Sequence, residues 1–349
     1  MKRVATLTVA AMLAGLLTTP SQAASCLVVT LTGTQGGPSV FNGQAGAGTL
    51  VRYGDDSNDC GALKLQFDVG RGTNLRLSQL GVAPQQLNAI FLTHTHGDHT
   101  EGLADILMLR WYMKGSDIDI VCSNDAASVL GVVHSCRKFV MHIADAFIES
   151  GEVDERRSED KARLEGGPAR MVKLMTFDAK EEPQQVWSSG DVKVSAIRST
   201  HIAGHASYRV DTPAGSVVIG GDASNDAQAP PRAHSTSDQV ERLAKGADVI
   251  VHSTIHPILG PDQGSGFPAP IYYRLSTASD LGAVAQRDGA RYLMLTHLAP
   301  SLGAVLHNRW KVPGGALTEA DYRRSVESSG YTGTTIVGTD LVGLRLPAR

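Results

Sequence analysis

Beyond its N-terminus, the 349-residue sequence has no apolar run long enough to cross a membrane as a helix. It has no C-x-x-C pair, which argues against a zinc–thiolate site. It has no excess of positive charge either. Lys and Arg number 32 against 35 Asp and Glu, a balance that gives no reason to expect nucleic acid as a partner. The glycine-rich stretch Gly33-Thr34-Gln35-Gly36-Gly37-Pro38 lacks the Lys-Ser/Thr ending of a phosphate-binding loop and reads as a turn beside a site mouth. No shift in composition marks a domain boundary. With 42% hydrophobic residues the chain can bury a sizeable core, and one domain over 24–349 is expected.

The N-terminus is the exception. Lys2 and Arg3 precede an apolar segment, Val4 to Leu17, and Ser21 and Ala23 occupy the −3 and −1 positions of a cleavage site. Residues 1–23 therefore read as a secretory signal peptide, which makes the expected localisation periplasmic or secreted. Ala23-Ala24-Ser25-Cys26 lacks the large aliphatic residue of a lipobox, so lipidation is the lesser option. Without the leader the balance is 30 basic to 35 acidic residues, net −5. An even set of four cysteines in an oxidising compartment favours disulfides. Sequence neighbourhood pairs Cys26 with Cys60 and Cys122 with Cys136.

The densest chemistry lies in Phe91-Leu92-Thr93-His94-Thr95-His96-Gly97-Asp98-His99. The apolar run Ala89 to Leu92 reads as a buried strand, which puts three histidines and a carboxylate on the loop at its end. Imidazole and carboxylate suit zinc, manganese and iron. His94 and His96 can converge on one ion while Asp98 and His99 serve a second. The downstream half repeats the pattern at other strand ends, with His201 after Ser199-Thr200, Asp222 after Gly220-Gly221, and His297 after Leu295-Thr296. The glycines before Asp222 permit close approach. His205, His252 and His256 are weaker candidates. Asp68, between a strand and a glycine turn, is either a helix cap or a group that orients a metal-bound histidine.

Around these residues, strands are expected at 26–32, 48–53, 62–67, 117–122, 192–198, 206–210, 216–219, 249–251 and 292–295. Helices are expected at 74–80, along Leu103, Ile106, Leu107 and Arg110, and at 125–133, 237–245 and 277–288. Thr212 to Gly215 reads as a hairpin turn, and 334–346 as a closing hairpin. The charge-dense stretch around 149–170 reads as a solvated surface insertion, with a lid as the alternative. Two similar halves with helices outside give an α/β four-layer sandwich.

Thr93 to His99, with His201, Gly220-Gly221-Asp222 and Leu295-Thr296-His297, resembles the metallo-β-lactamase superfamily across nearly the whole mature chain. The resemblance implies an αββα fold. It assigns His94, His96 and His201 to one metal and Asp98, His99 and His297 to the other, with Asp222 bridging both and Asp68 behind them. His201 is preferred to His205 for its seven-residue spacing from Tyr208. The bridging aspartate, with the segments around Leu31, Phe67 and Phe91, is similar to the secreted arylsulfatase and RNase Z groups. Two departures count against tRNA processing. Ser253 stands where RNase Z has the glutamate of His-Glu-Ala-Thr, and Leu275 stands where it has the histidine of His-Ser-Thr.

The resulting expectation is a hydrolase with two divalent ions, zinc first and manganese or iron as alternatives, acting on a small-molecule aryl sulfate or phosphodiester-type ester. Asp98 would help accept the proton of the attacking water, and His256 is a substitute proton donor for the leaving group. Lactonase, cyclic-nucleotide phosphodiesterase and β-lactamase activities are the enzymatic alternatives. A metal-binding periplasmic scaffold is the non-enzymatic one.

Overall fold

A computed structural model describes residues 24–347. The leader expected at 1–23 lies outside the described residues. Two seven-stranded sheets make up the centre. The first runs, in spatial order, Gly343–Leu346, Ser25–Gly33, Gly48–Asp55, Leu63–Phe67, Ala89–Phe91, Ile118–Ser123 and Val172–Phe177. The second runs Thr334–Val337, Tyr292–Ala299, Val249–Ile255, Gly215–Ile219, Ala206–Thr212, Val192–Arg198 and Gln184–Ser189. In each, an antiparallel section passes into parallel strands joined through helices. That change in strand direction is where the site-bearing loops emerge.

Alternation along the strands explains the layering. Leu27, Val29 and Leu31 from one sheet meet Val194, Val217, Val251 and Met294 from the other in a core between the sheets. Phe67 stacks on Phe91 with ring centres 4.6 Å apart, and Tyr208 closes over both. The buried Tyr208 hydroxyl donates to the Leu92 carbonyl at 2.8 Å, which ties the base of the histidine-rich loop to the opposite sheet. Truncating Phe91 there would cost about 3–5 kcal/mol. On the outer face of the first sheet, Leu103, Ile106, Leu107 and Val140 from two helices cover Ile90 and Ile120. On the second, Leu243, Leu281, Tyr322 and Val326 cover Val218, Ile250 and Leu293. The helix face expected at Leu103, Ile106, Leu107 and Arg110 is buried. The layers are therefore helix, sheet, sheet, helix.

Most expected elements fall within a few residues of their places, but two differ in kind. Residues 125–133 do not form a helix. Ala126–Ala127 and Val133–His134 pair as a short antiparallel hairpin, closed by a turn in which Gly131 adopts φ +75°. Val129, Leu130 and Val132 are exposed at its tip, so no sheet face was present to bury a helical stripe. The chain becomes helical only after Ser135, whose side chain caps Cys136–Glu149 by accepting from the Lys138 amide.

The C-terminal hairpin is also absent. Thr334–Val337 runs parallel to Tyr292–Ala299 in one sheet, whereas Gly343–Leu346 pairs with Ser25–Gly33 in the other. Each strand caps a sheet edge, and the intervening residues cross between layers. The Cys26–Cys60 and Cys122–Cys136 disulfides are both formed. The charged segment forms a helix, Glu152–Glu159, seated through Val153 against Trp111 and Met171.

Candidate metal centre

The metal loop begins where Ala89–Phe91 ends. His96 is extended, at φ −65° and ψ 147°, and the chain then tightens into a single helical turn, Gly97–Thr100. Extended backbone brings His94 and His96 to one side, and the turn redirects Asp98 and His99 to another. The His94 Nε2 and His96 Nδ1 atoms lie 3.0 Å apart, and His201 Nε2 lies 3.4 Å from the same His96 nitrogen. Asp98 Oδ2 lies 3.1 Å from His297 Nε2 and 3.9 Å from His99 Nε2. Two triads result, each with ligand-type atoms close enough to share an ion. Asp222 Oδ2 sits between them, 3.7 Å from His201 Nε2 and 3.5 Å from both His99 Nε2 and His297 Nε2.

Hydrogen bonds on the far side of each ring decide which nitrogen faces inward. Asp68 accepts from His99 Nδ1, the Thr93 hydroxyl and the Thr93 amide, each at 2.8 Å. Asp68 caps no helix, since Gly72 is the N-cap of Thr73–Gln79; its carboxylate holds the His99 ring. The Thr93 hydroxyl, having donated to Asp68, accepts from His94 Nδ1 at 3.0 Å. The Arg274 carbonyl accepts from His201 Nδ1 at 3.1 Å. These bonds hold the Nδ1 proton of His94, His99 and His201 on the far side and turn each Nε2 toward the site.

This arrangement fits a pair of cations. Three imidazole lone pairs meet at His94, His96 and His201. The buried His99 Nε2 and Asp222 Oδ1 have no hydrogen-bond partner among the described residues. Nitrogen and carboxylate donors without thiolate suit zinc, with manganese or iron also accommodated.

Charge sorts the same groups. Burial, reinforced by His99 and His201, pushes His94 well below the ordinary imidazole range. Burial likewise lowers His201 to about 4. Burial opposes charge on His99 too, but the Asp222 and Asp68 carboxylates outweigh it and raise that ring well above the ordinary range. For Asp98, burial is overcome by the His297 hydrogen bond and the His99 charge, which hold it down at about 2. Burial of Asp222 is overcome in the same way by His297 and His99.

His205 is not a ligand in this geometry. Its Nδ1 pairs with the Ser199 hydroxyl at 2.8 Å, and its Nε2 accepts the Asp222 amide at 3.2 Å. It supports the backbone that carries Asp222. Gly221 explains the closeness, since a Cβ there would stand 2.9 Å from His205 Nε2 at a residue with φ +60°. At Gly220 a Cβ would meet the His252 ring at 2.1 Å. His252 is accordingly buried against that turn, with Nδ1 on the Ser253 carbonyl. His256, the substitute proton donor expected from sequence, lies apart from the cavity. Its Nδ1 accepts from the Ile258 amide, its ring packs against Tyr322 at 5.1 Å, and it is not part of the cavity wall.

A cavity of about 570 Å³ opens onto His96, Asp98, His201, Asp222 and His297. Gly37 and Pro38 form its lip, as expected of the glycine-rich turn, and the Gly37 amide lies 3.0 Å from His297 Nε2. Leu275 lies in the wall, and no residue from 149–170 does. Sequence reading missed Arg274, Phe267, His307 and Trp310, which complete that wall. The only signal was the position of Arg274 beside Leu275-Ser276-Thr277. Phe267 lies in a loop, and His307 faces Trp310 across a hairpin of two-residue strands, Leu306–His307 and Trp310–Lys311, too short to show a period. Burial, then the charge of His297, lowers His307 to about 4.

A family model described as anti-Pycsar protein Apyc1 matches residues 58–138. Ribonuclease Z of Mycobacterium bovis (strain BCG / Pasteur 1173P2) is 25% identical over 321 residues, covering 90% of this chain and 96% of that protein. Among solved structures, the metallo-β-lactamase fold protein YhfI from Bacillus subtilis aligns with TM-score 0.57 at 17% identity, over 92% of this chain and all of that one. The short form of human tRNase Z aligns with TM-score 0.56 at 18% identity, again over 92% of this chain and all of that one. Alignment over 92% of this chain and the whole of both structures shows that the chain has the metallo-β-lactamase fold.

Proposed function

We propose that the chain is a metal-dependent hydrolase. In this reading His94, His96 and His201 hold one divalent cation, Asp98, His99 and His297 hold a second, and Asp222 serves both. The observation that carries it is the position of Asp222 Oδ2, 3.5 to 3.7 Å from ring nitrogens of both triads. Such a metal pair supplies Lewis acidity and a hydroxide nucleophile at neutral pH. The chain's own residues do the rest. Asp68 and the Arg274 carbonyl fix ring tautomers, His205 holds the Asp222 backbone, and Leu275 with its apolar neighbours limits water at the cavity wall.

The substrate we propose is an aryl sulfate or phosphodiester-type ester. Leu275 offers no proton to a leaving group, so a substrate with a good leaving group such as an aryl oxide is favoured. We also propose export, on the basic, apolar and small-residue order of 1–23 together with two disulfides. Metal analysis of the purified protein, run with aryl sulfate, aryl phosphodiester, lactone and cephalosporin substrates, tests the reading. His96→Ala is expected to lose metal and activity together. A metal-loaded protein inactive on the whole panel would overturn the hydrolase reading, and N-terminal sequencing of the mature protein tests export.

A further inference from the structure

Arg274 differs from the other shielded arginines. Arg110 spends its guanidinium on the carbonyls of Pro84, Leu87, Ser116 and Asp117, and Arg76 pairs with Asp340. Arg232, close by, donates to the Tyr273 carbonyl and lies over the Tyr273 ring. The Arg274 side chain makes no hydrogen bond or ion pair among the described residues, and its Nε is buried without a partner. Yet it lines the cavity that holds Asp98 and Asp222. A guanidinium is always charged, and its fork of N–H donors matches two oxygens of one anion. Held at a site wall without a protein anion, it is available to a ligand.

The same cavity has an aromatic wall. Phe267 and Trp310 meet edge to face with centres 5.1 Å apart, and Ile271, Leu275 and Ala299 continue the apolar surface. The Arg309 guanidinium lies 5.0 Å from the Trp310 ring centre.

Resting on the hydrolase reading above, we propose that these features form a two-part substrate subsite. Arg274 binds a non-reacting oxygen of a tetrahedral phosphoryl or sulfuryl group, and the Phe267–Trp310 wall receives an aromatic group attached to it. The subsite selects an anionic aryl ester over a neutral lactone, and Arg274 acts as a binding group rather than as an acid.

The test is calorimetric binding to the zinc-loaded protein of methylphosphonate, phenylphosphonate and phenylsulfonate, none of which carries a cleavable ester. Arg274→Met is expected to weaken all three by about tenfold or more with metal content unchanged, and Arg274→Lys to lose less. Trp310→Ala is expected to weaken phenylphosphonate and spare methylphosphonate. The tighter of phenylphosphonate and phenylsulfonate identifies the phosphoryl or sulfuryl source. Unchanged affinities in Arg274→Met would overturn the anion role. Equal effects of Trp310→Ala on both phosphonates would overturn the aromatic one. Turnover of the ester panel is measured separately. An active enzyme indifferent to Arg274→Met refutes the subsite and leaves the hydrolase, whereas Arg274-dependent binding without turnover retains the subsite and refutes the hydrolase.

Discussion

Replacing Asp68 with Asn probes the support of the metal centre without touching a ligand. The carboxylate accepts three hydrogen bonds, from the Thr93 amide, the Thr93 hydroxyl and His99 Nδ1. An Asn oxygen can keep the amide bond, but its NH₂ group then faces His99 Nδ1. Two donors cannot share that bond, so the ring moves its proton to Nε2, the atom 3.5 Å from Asp222 and 3.9 Å from Asp98. The triad of Asp98, His99 and His297 loses a ligand, while His94, His96 and His201 keep theirs. Loss of such a support costs about 10- to 100-fold in metal affinity, or ~1.4–2.7 kcal/mol. Chelator competition with metal counting by mass spectrometry should show one ion retained near wild-type affinity and the other weakened within that range. Two ions bound as tightly as in the wild type would refute the tautomer argument.

Other perturbations separate neighbouring roles. His201→Ala should strip one ion, whereas His205→Ala should retain both and lose about 1–3 kcal/mol of stability through the unpaired Asp222 amide; the reverse pattern in metal counts and melting would exchange their assignments. Opening the Cys122–Cys136 and Cys26–Cys60 links, with separations of 14 and 34 residues, should cost roughly 3 and 4 kcal/mol by loop entropy, and an unchanged melting temperature in reductant would argue against both. Burial and then the Glu241 charge raise Asp288 to about 6. Its favourable contribution is present below the unfolded carboxylate range and is lost as pH rises through about 6. Asp288→Asn should therefore stabilise the protein at pH 8 and leave it unchanged at pH 4; equal shifts at both pH values would contradict the burial argument.

Local order in the sequence was enough to place the His94–His99 loop, because a buried strand followed by His-x-His-x-Asp-His leaves little freedom in where those side chains emerge. Strand-end placement likewise marked His201, Asp222 and His297, and neighbourhood marked the disulfides. Tertiary structure decided what local pattern could not. His201 and His205 sit four residues apart on one loop, and only the Arg274 carbonyl and the Asp222 amide distinguish a ring facing the site from one bracing its backbone. Residues 125–133 carry enough apolar side chains for a helix, yet no sheet face was there to bury them. The last two strands are close in sequence and apart in space, because each completes a different sheet edge. The cavity wall was the least legible part. Phe267 and Arg274 come from loops, and His307 and Trp310 from a hairpin of two-residue strands, whose positions are set by packing on the finished sandwich and not by any period in their own sequence.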